Sequence, residues 1–344
     1  MEESPRLREV DEAQGGRLGQ RFVLTKQVIY RGLASSIFLG VERGTLLQVG
    51  VKVILKNRLD SEQELAQALA EVKIHSAIPP SAHVIRLLGA EETPNAILIV
   101  TPYTPSGDLW ELIRFGKTYC EAEVRNCAGQ MMSALSHIHG VCHLIHGDIK
   151  PHNFLLFMVD GRFSLQLCDF GLAEHPDRSD GTVTFHGLRG TSGWFSPEML
   201  DHRDYTQAVD LFACGLILFR MLGGYPPFDP PSQLSHPVEF DERYWCHISE
   251  PCRQFLSQLL ALDPADRSTA SESRFHDWLT HSVVAPSPEQ VRAARKYGPA
   301  PDTSVLFWPT TVTPVKERHH SYANLEDLKG EVDLDMEMQE MEIA

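Results

Sequence analysis

Short hydrophobic runs dominate the first part of the chain. Three runs rich in Val, Ile, Leu and Phe are separated by turns that contain glycine, and they cover residues 21–32, 35–42 and 46–55. Two more runs lie near residues 84–90 and 96–103. Because runs of this length and composition are typical of antiparallel strands, we predict a small β-sheet here.

One helix is predicted inside this region, over residues 61–78. Ser61, with Glu64 three positions later, has the form of a capping box. Two prolines, at 79 and 80, should end the helix. Four residues of this helix lie at helical spacing and form one stripe along it: Leu65, Leu69, Val72 and Ser76.

After residue 105 the spacing of hydrophobic residues becomes helical. The segments with this pattern are residues 109–116, 121–140, 208–223 and 250–262. A hairpin-like stretch interrupts them at residues 158–163. We therefore predict an α+β protein with two lobes, in which a small sheet with one helix precedes a larger, mainly helical lobe.

The predicted domain boundaries follow these changes. Residues 1–20 are polar and should be a flexible segment. The folded domain spans residues 21–282, with an N-lobe at 21–101 and a C-lobe at 105–282. Proline and charge then predict a tail over residues 283–344, acidic at its end.

Composition limits the class of protein. The apolar fraction of 42% is ordinary for a soluble chain. No apolar stretch is long enough to span a bilayer, and the N-terminus has no apolar signal region. The seven cysteines include no C-x-x-C pair, which argues against a disulfide framework or a zinc site. We expect a reducing compartment, the cytoplasm or the nucleus.

Charge adds one exclusion and one open question. The formal net charge of −15 argues against non-specific binding to nucleic acid, which needs a basic surface. Much of the excess lies in residues 326–344, where eight acidic residues accompany a single lysine. This end has three interpretations: a docking element for a partner, an autoinhibitory segment, or a solvated disordered end.

Polar groups cluster in LIHGDIKPHNFLL, residues 144–156, between two apolar runs. Asp148, Lys150 and Asn153 lie within this turn-forming stretch. A solvated loop is the simpler interpretation, since glycine, proline and asparagine all favour turns. The alternative is a site where a carboxylate accepts a proton while an amide oxygen holds a metal ion.

Another pair of charges is predicted on the small sheet and its helix. Lys52 alternates with valines on a predicted strand. Glu71 lies on the helix face of Ala68 and can point toward the sheet to pair with it. Glu62 and Glu64 are alternative partners, although their position at the helix start suits capping. An exposed lysine on the strand is the simpler interpretation.

Asp169 follows an apolar strand, and the chain can turn at Gly171 two residues later. A strand ending in a D-x-G turn is common. However, Asn153 and Asp169 converging from adjacent strand ends would suit Mg²⁺, which takes one or two protein oxygens plus phosphate oxygens.

Three charges in the second lobe should be costly to bury unless they are paired. We predict that Glu198 forms an internal salt bridge with Arg267. Asp210, inside a helical pattern, should hold backbone amides of a loop. The alternative for these residues is a set of surface charges.

In this order and spacing, the motifs resemble the signature set of eukaryotic protein kinases: a strand lysine, a helix glutamate, H-x-D-x-x-x-x-N, D-F-G and an A-P-E-like element. The resemblance covers residues 21–282. Within it, residues 240–279 look most like the calcium/calmodulin-dependent kinase group. The fold it implies is the two-lobed protein kinase fold.

The resemblance implies a serine/threonine kinase that transfers the γ-phosphate of Mg-ATP to protein hydroxyls. By it, Asp148 would orient the hydroxyl and accept its proton, and Lys150 would steady the γ-phosphate. Lys52, paired with Glu71, would reach phosphate oxygens. The Mg²⁺ ligands would be Asn153 and Asp169. The implied partners are ATP and protein substrates with serine or threonine acceptors.

The nucleotide contacts implied by the resemblance include one departure. The adenine would lie against residues 102–104, including Tyr103, with Thr101 as gatekeeper. Tyr30, Gly32 and Ser35 occupy the glycine-rich positions, so only Gly32 keeps its glycine. Bulk at Tyr30 should loosen or reshape the phosphate contact. The alternative function is therefore a pseudokinase scaffold with little or no phosphoryl transfer.

Other departures concern regulation and substrate choice. Gly147 replaces the arginine that usually receives an activation-loop phosphate, and residues 186–190 lack a hydroxyl at the usual phosphosite. We expect activity without that phosphorylation. Relatives that prefer basic substrates have acids where this chain has Asp108, His152 and Arg220. We therefore expect weak selection for arginine two residues before the acceptor.

Overall fold

The structure is a computed structural model that describes residues 18–32, 34–114, 118–159, 161–228, 234 and 236–281. These residues form two compact units, the first of residues 18–77 and 85–105 and the second of residues 78–84 and 106–281. The predictions for residues 1–17 and for the acidic tail lie outside the described residues.

Residues 78–84 belong to the second unit, although the predicted N-lobe of residues 21–101 included them. Hydrogen bonds explain the difference. The amide of Leu167 donates to the carbonyl of His83 at 2.9 Å, and the His83 ring bonds the carbonyl of Leu165 at 3.0 Å.

A five-stranded antiparallel sheet forms the first unit, in the order β1-β2-β3-β5-β4. Its strands are β1 (Phe22–Arg31), β2 (Ser35–Glu42), β3 (Gln48–Leu55), β4 (Gly89–Glu92) and β5 (Ala96–Pro102). A one-turn helix, α1 (Leu18–Arg21), precedes the sheet, and a long helix, α2 (Glu62–Ala77), follows β3. The small sheet with its one long helix is confirmed.

Successive side chains of β3 point to opposite faces of the sheet, so each face receives a different set of residues. Val51 and Val53 pack in one apolar cluster, whereas Ile54 packs with Val72 of α2 in another. Lys52 has the parity of Ile54, since successive side chains on a strand point to opposite faces. Its side chain therefore leaves the strand on the face that α2 covers.

The predicted strand over residues 84–90 forms only at its end. β4 begins at Gly89, which pairs with Val100 of β5. Upstream, the carbonyl of Ile85 accepts a hydrogen bond from the ring of the buried His75 at 2.9 Å. Because the His75 ring already satisfies the Ile85 carbonyl, that carbonyl does not require a hydrogen bond from a neighbouring strand.

The predicted cap of α2 is half right. Ser61 Oγ accepts a hydrogen bond from the amide of Glu64 at 3.2 Å. The Glu64 carboxylate, however, accepts from the amide of Asp60 at 2.9 Å instead of that of Ser61. In the last turn, the predicted stripe residue Ser76 is exposed and its neighbour His75 is buried.

The described part of the second unit is mainly helical. Its helices are α3 (Trp110–Ile113), α4 (Glu121–Gly140), α5 (Pro197–Leu200), α6 (Ala208–Gly223), α7 (Glu242–Trp245), α8 (Glu250–Leu259), α9 (Ala270–Ser273) and α10 (Asp277–Thr280). The predicted hairpin is formed by β6 (Phe154–Val159) and β7 (Arg162–Leu167), which pair antiparallel.

α6 lies at the centre of this unit. Nearly all of its residues are buried, as expected of a helix that is apolar all round. A Cβ at Gly215 would lie 2.8 Å from the side chain of Leu260, so glycine permits this close packing. Among the described residues, no helix is both long and apolar enough to cross a membrane.

Candidate active site

In the first unit, Lys52 of β3 and Glu71 of α2 form an ion pair. Lys52 Nζ donates to both carboxylate oxygens of Glu71, at 2.7 and 3.0 Å. Glu71 is buried, while the Lys52 side chain is 22% exposed to solvent. The predicted pairing is confirmed, and Glu64, one of the alternative partners, bonds at the helix start instead.

Tyr30 and Gly32 lie at the tip of the β1–β2 hairpin. The amide of Gly32 donates to the carbonyl of Ser35 at 2.7 Å. Tyr30 is 45% exposed. A Cβ added to Gly32 would lie 3.2 Å from a carbon of the Tyr30 ring. The tyrosine ring therefore occupies space beside the turn, and glycine at position 32 leaves room for it.

Thr101 and Tyr103 lie at the end of β5, alongside β3. Thr101 pairs in the ladder with Gly50, and a Cβ at Gly50 would lie 3.8 Å from Thr101 Oγ1. The amide of Tyr103 donates to the carbonyl of Gln48 at 3.3 Å. The backbone of this segment is thus positioned by β3. The role of Thr101 and Tyr103 toward adenine stays a prediction.

In the second unit, three side chains bond the carboxylate of Asp148, and one of them is Asn153, whose Nδ2 donates to Oδ2 at 3.3 Å. Lys150 Nζ donates to Oδ2 at 2.6 Å, and Thr191 Oγ1 donates to Oδ1 at 2.7 Å. Lys150 Nζ also donates to Thr191 Oγ1 at 2.7 Å, which closes a triangle of three groups. Asp148 itself is buried to about nine-tenths, with 9% of its surface exposed. Its carboxylate is therefore fixed in direction and lies next to a cation.

Asp210, from the buried helix α6, holds the start of the loop at residues 146–153, which is called the catalytic loop because it carries Asp148. Its carboxylate accepts hydrogen bonds from the amides of His146 and Gly147, at 2.8 and 3.0 Å, and from His139 Nε2 at 2.8 Å. Burial acts to raise the pKa of Asp210, but the hydrogen bond and charge of His139 outweigh it and lower that pKa. The prediction that Asp210 holds loop amides is confirmed.

The two predicted metal ligands belong to adjacent backbone segments. The amide of Cys168, next to Asp169, donates to the carbonyl of Asn153 at 2.9 Å. Asn153 Nδ2 donates to the carbonyl of Asp148 at 2.8 Å, which leaves the amide oxygen of Asn153 for another partner. Asp169 has φ of +65°, an uncommon conformation for a residue with a side chain. Within the described residues, no group of three or more His, Cys, Asp or Glu is arranged to hold a metal.

Two glycines bring residues 177–195, called the activation segment, against the catalytic loop. Gly147 has φ of +73° and Gly190 has φ of +124°, values that side chains rarely adopt. A Cβ on Gly190 would lie 2.9 Å from the ring of Phe195 and 3.2 Å from the carbonyl of Gly147. The backbone at Gly190 therefore packs directly on the loop that carries Asp148.

The predicted salt bridge between Glu198 and Arg267 is confirmed. Arg267 donates to both carboxylate oxygens of Glu198, at 2.6 and 2.9 Å, and the two side chains are 0% and 1% exposed. Arg267 also bonds the carbonyls of Ala261 and Ala208. This bidentate pair joins α5, which follows the activation segment, to the end of the unit.

A small recess borders Asp148. Thr191, Trp194 and Phe195 of the activation segment line it, together with Gly147 of the catalytic loop. The recess thus places an aromatic surface beside the carboxylate.

The Protein kinase domain family model matches residues 24–279. The chain belongs to the protein kinase family. Among its relatives, myosin light chain kinase A of Dictyostelium discoideum is 29% identical, with 74% of this chain and 86% of the relative covered. Human calcium/calmodulin-dependent protein kinase type 1B is 30% identical, with 76% and 78% covered. Calcium-dependent protein kinase 9 of Oryza sativa subsp. japonica is 31% identical, with 82% and 48% covered.

These relatives identify a serine/threonine kinase related to the calcium/calmodulin-dependent group, as its sequence predicted. The α+β fold of the kinase is likewise confirmed. Lys52 and Glu71 meet in its first unit. Asp148, Lys150 and Asn153 meet in its second unit.

Backbone hydrogen bonds anchor the activation segment of the kinase at several points. Val183 and Tyr205 exchange backbone hydrogen bonds at 2.7 and 3.1 Å. The amide of Thr182 donates to Asp180, and the amide of Thr184 donates to Asp177. The hydroxyls of Thr184 and Thr182 also bond these carboxylates and lower the pKa of Asp177 and Asp180, so amides and hydroxyls both contribute to the contacts.

Sequence reasoning missed the contact between Thr191 and Asp148. The two residues are 43 positions apart along the chain. Several hydroxyl residues lie in GTSGWFSPE, and their spacing does not show which one reaches the loop. The contact depends on the approach of Gly190 to Gly147, which is a tertiary feature.

Proposed function

We propose that this kinase transfers the γ-phosphate of Mg-ATP to serine or threonine hydroxyls of proteins, without phosphorylation of its activation segment. One observation carries the proposal: the Asp148 carboxylate is fixed between Lys150 and Thr191. A base and a cation held side by side match the needs of phosphoryl transfer, which depends on positioning and charge neutralisation.

In the proposed reaction, the substrate hydroxyl oxygen forms a bond to the γ-phosphorus. The bond between that phosphorus and the β–γ bridging oxygen breaks, and ADP leaves with the electron pair. Asp148 orients the hydroxyl and accepts its proton. Lys150, already beside Asp148, donates hydrogen bonds to the transferred phosphoryl group.

Asn153 and Asp169 fit a Mg²⁺ ion by their chemistry, because an amide oxygen and a carboxylate are hard oxygen ligands. The bond from Asn153 Nδ2 to the backbone supports this assignment, since it fixes the orientation of the amide. The bound ion would neutralise charge on the phosphates. Lys52, held by Glu71, would bind further phosphate oxygens.

Independence from activation-segment phosphorylation is supported by two features. Gly147 provides no cation to receive a phosphate, and residues 186–190 contain no hydroxyl. In their place, the Val183–Tyr205 bridge and the Thr191 hydrogen bond fix the segment. The segment therefore reaches an ordered arrangement with the residues it already has.

The first test measures transfer of labelled phosphate from ATP to a generic protein substrate, for wild type beside Asp148→Asn. Loss of a positioned base should lower turnover about 10²- to 10⁴-fold. A folded wild-type protein that binds ATP but transfers no phosphate would overturn the proposal. That result would favour the scaffold alternative, for which the exposed Tyr30 at the hairpin tip is the structural argument.

The second test separates the regulatory part of the proposal from the reaction itself. Wild type and the double variant Thr182→Ala, Thr184→Ala are treated with phosphatase, and then both are assayed. We expect turnover within about twofold of untreated wild type, because surface changes of this kind have small effects. Loss of activity in either sample would refute independence while leaving phosphoryl transfer established.

A further inference from the structure

A cation and two aromatic rings form a cluster beside the catalytic loop. The guanidinium carbon of Arg220 lies 5.3 Å from the centroid of the Trp110 ring. The Trp110 ring stacks on that of His152, with centroids 5.1 Å apart and planes 24° apart. His152 directly precedes Asn153, so this Arg220–Trp110–His152 cluster adjoins a residue proposed to hold the metal.

The charge of Arg220 is not neutralised by any carboxylate among the described residues. Its buried Nε also makes no hydrogen bond within that part of the chain. Arg220 lies in the last turn of α6, where the partial negative charge of the helix terminus favours a cation. The helix end therefore favours the charge of Arg220, for which the described residues provide no carboxylate partner.

The acidic residues nearest to Trp110 in sequence are engaged elsewhere. Asp108 Oδ1 accepts a hydrogen bond from the amide of Glu111 at 3.3 Å. The carboxylate of Glu111 pairs with Arg114 at 3.1 Å. Neither carboxylate forms an ion pair with Arg220, so the cluster presents positive charge.

We infer that the Arg220–Trp110–His152 cluster is a subsite for an anionic side chain of the protein substrate, a glutamate, an aspartate or a phosphorylated residue. A guanidinium matches the geometry of carboxylate and phosphate oxygens and can bind them bidentately. The inference rests on the proposed function. It goes beyond the predicted weak selection for arginine. Absence of an acidic residue from the kinase would only weaken selection for arginine in the substrate, whereas the cation Arg220 would select for an anionic substrate residue.

The test compares kcat/KM for matched peptides that share one serine acceptor. At each flanking position in turn, the peptides carry alanine, glutamate, phosphoserine or arginine. For wild type, we expect one position at which glutamate or phosphoserine raises kcat/KM roughly threefold to tenfold over alanine, mainly through KM. The glutamate and phosphoserine peptides distinguish a carboxylate subsite from one that requires a phosphate.

Variants of Arg220 assign that preference to the cluster. Arg220→Gln should bring the ratio of the glutamate to the alanine peptide close to one, Arg220→Lys should keep part of it, and Arg220→Glu should favour the arginine peptide. The matched control is Arg243→Gln, since Arg243 lies 5.7 Å from the ring of Tyr244 but far along the chain from the catalytic loop. It should leave the ratio unchanged.

The wild-type peptide comparison does not depend on the folding of any variant. Equal kcat/KM for alanine and glutamate peptides at every position would overturn the inference and leave the proposed function intact. A preference that persists in Arg220→Gln would also overturn it. No transfer to any peptide would overturn both, so the two failures are distinguishable.

Discussion

The predicted nucleotide-binding and catalytic parts of the site differ in what holds them. In the second unit, side chains from distant segments fix the catalytic loop: Asp210 holds its backbone, and Thr191 holds the carboxylate of Asp148. In the first unit, the hairpin tip is closed by a backbone hydrogen bond at Gly32, and Tyr30 beside it is nearly half exposed.

The difference teaches how departures from the family pattern are tolerated. Gly147 stands where the family usually has arginine, and around it Gly190 packs closely on the loop while the hydroxyl of Thr191 bonds Asp148. At the hairpin, the ring of Tyr30 lies beside Gly32. A glycine at position 30 would leave the backbone open to close approach by a phosphate. The substituted position in the second unit is therefore surrounded by tertiary contacts, whereas Tyr30 at the hairpin tip is 45% exposed.

Removing Glu198 should produce the largest effect, because it leaves Arg267 charged and fully buried. We expect Glu198→Gln to lower the free energy of unfolding by roughly 3–5 kcal/mol, measured by urea denaturation. The matched change in the first unit is Glu42→Gln, which breaks a pair with the 39% exposed Arg21. That change should cost at most about 1 kcal/mol. Equal losses would contradict the view that the second unit depends more on paired charges.

Removing the hydroxyl of Thr191 should come next. Thr191→Val keeps the side-chain shape but loses the bonds to Asp148 and Lys150. We expect kcat to fall roughly tenfold to a hundredfold, as for loss of a hydrogen bond to a charged group. Thr191→Ser keeps the hydroxyl and should retain most of kcat. If valine and serine variants had the same kcat, Thr191 would not position the carboxylate.

Shortening Tyr30 should have the smallest effect, and in the opposite direction. Tyr30→Gly frees the hairpin backbone to approach phosphate, so KM for ATP should fall roughly twofold to fivefold, the value of about one hydrogen bond. The control is Lys26→Gly, on the same strand but away from the tip. Both should lower stability by about 0.5–1 kcal/mol. An unchanged KM in Tyr30→Gly would show that the tyrosine does not limit nucleotide binding.

Much of the site could be predicted because buried charges need partners. The periodicity of strand and helix placed Lys52 and Glu71 on facing surfaces, and the cost of burial predicted the pair of Glu198 and Arg267. The same reasoning assigned Asp210 to loop amides. In each case, local pattern and electrostatics pointed to the same contact.

Other features depend on how segments approach each other. The sequence does not show that Thr191 reaches Asp148, or that Arg220 lies against Trp110, because these pairs are far apart along the chain. The apolar run at residues 84–90 suggested a strand, but a hydrogen bond from His75 satisfies part of its backbone. Hydrophobic pattern alone does not distinguish these outcomes.

The activation segment is tied at Val183 by the bridge to Tyr205, and at Thr191 by the catalytic loop. Between these two points, residues 186–188 are exposed to solvent, and the relative exposure of Leu188 is 43%. A fluorescent dye attached at position 188 would therefore sit on a short arc with both ends fixed. Its emission would report motion of that arc while leaving Asp148, Lys150 and Thr191 chemically unaltered.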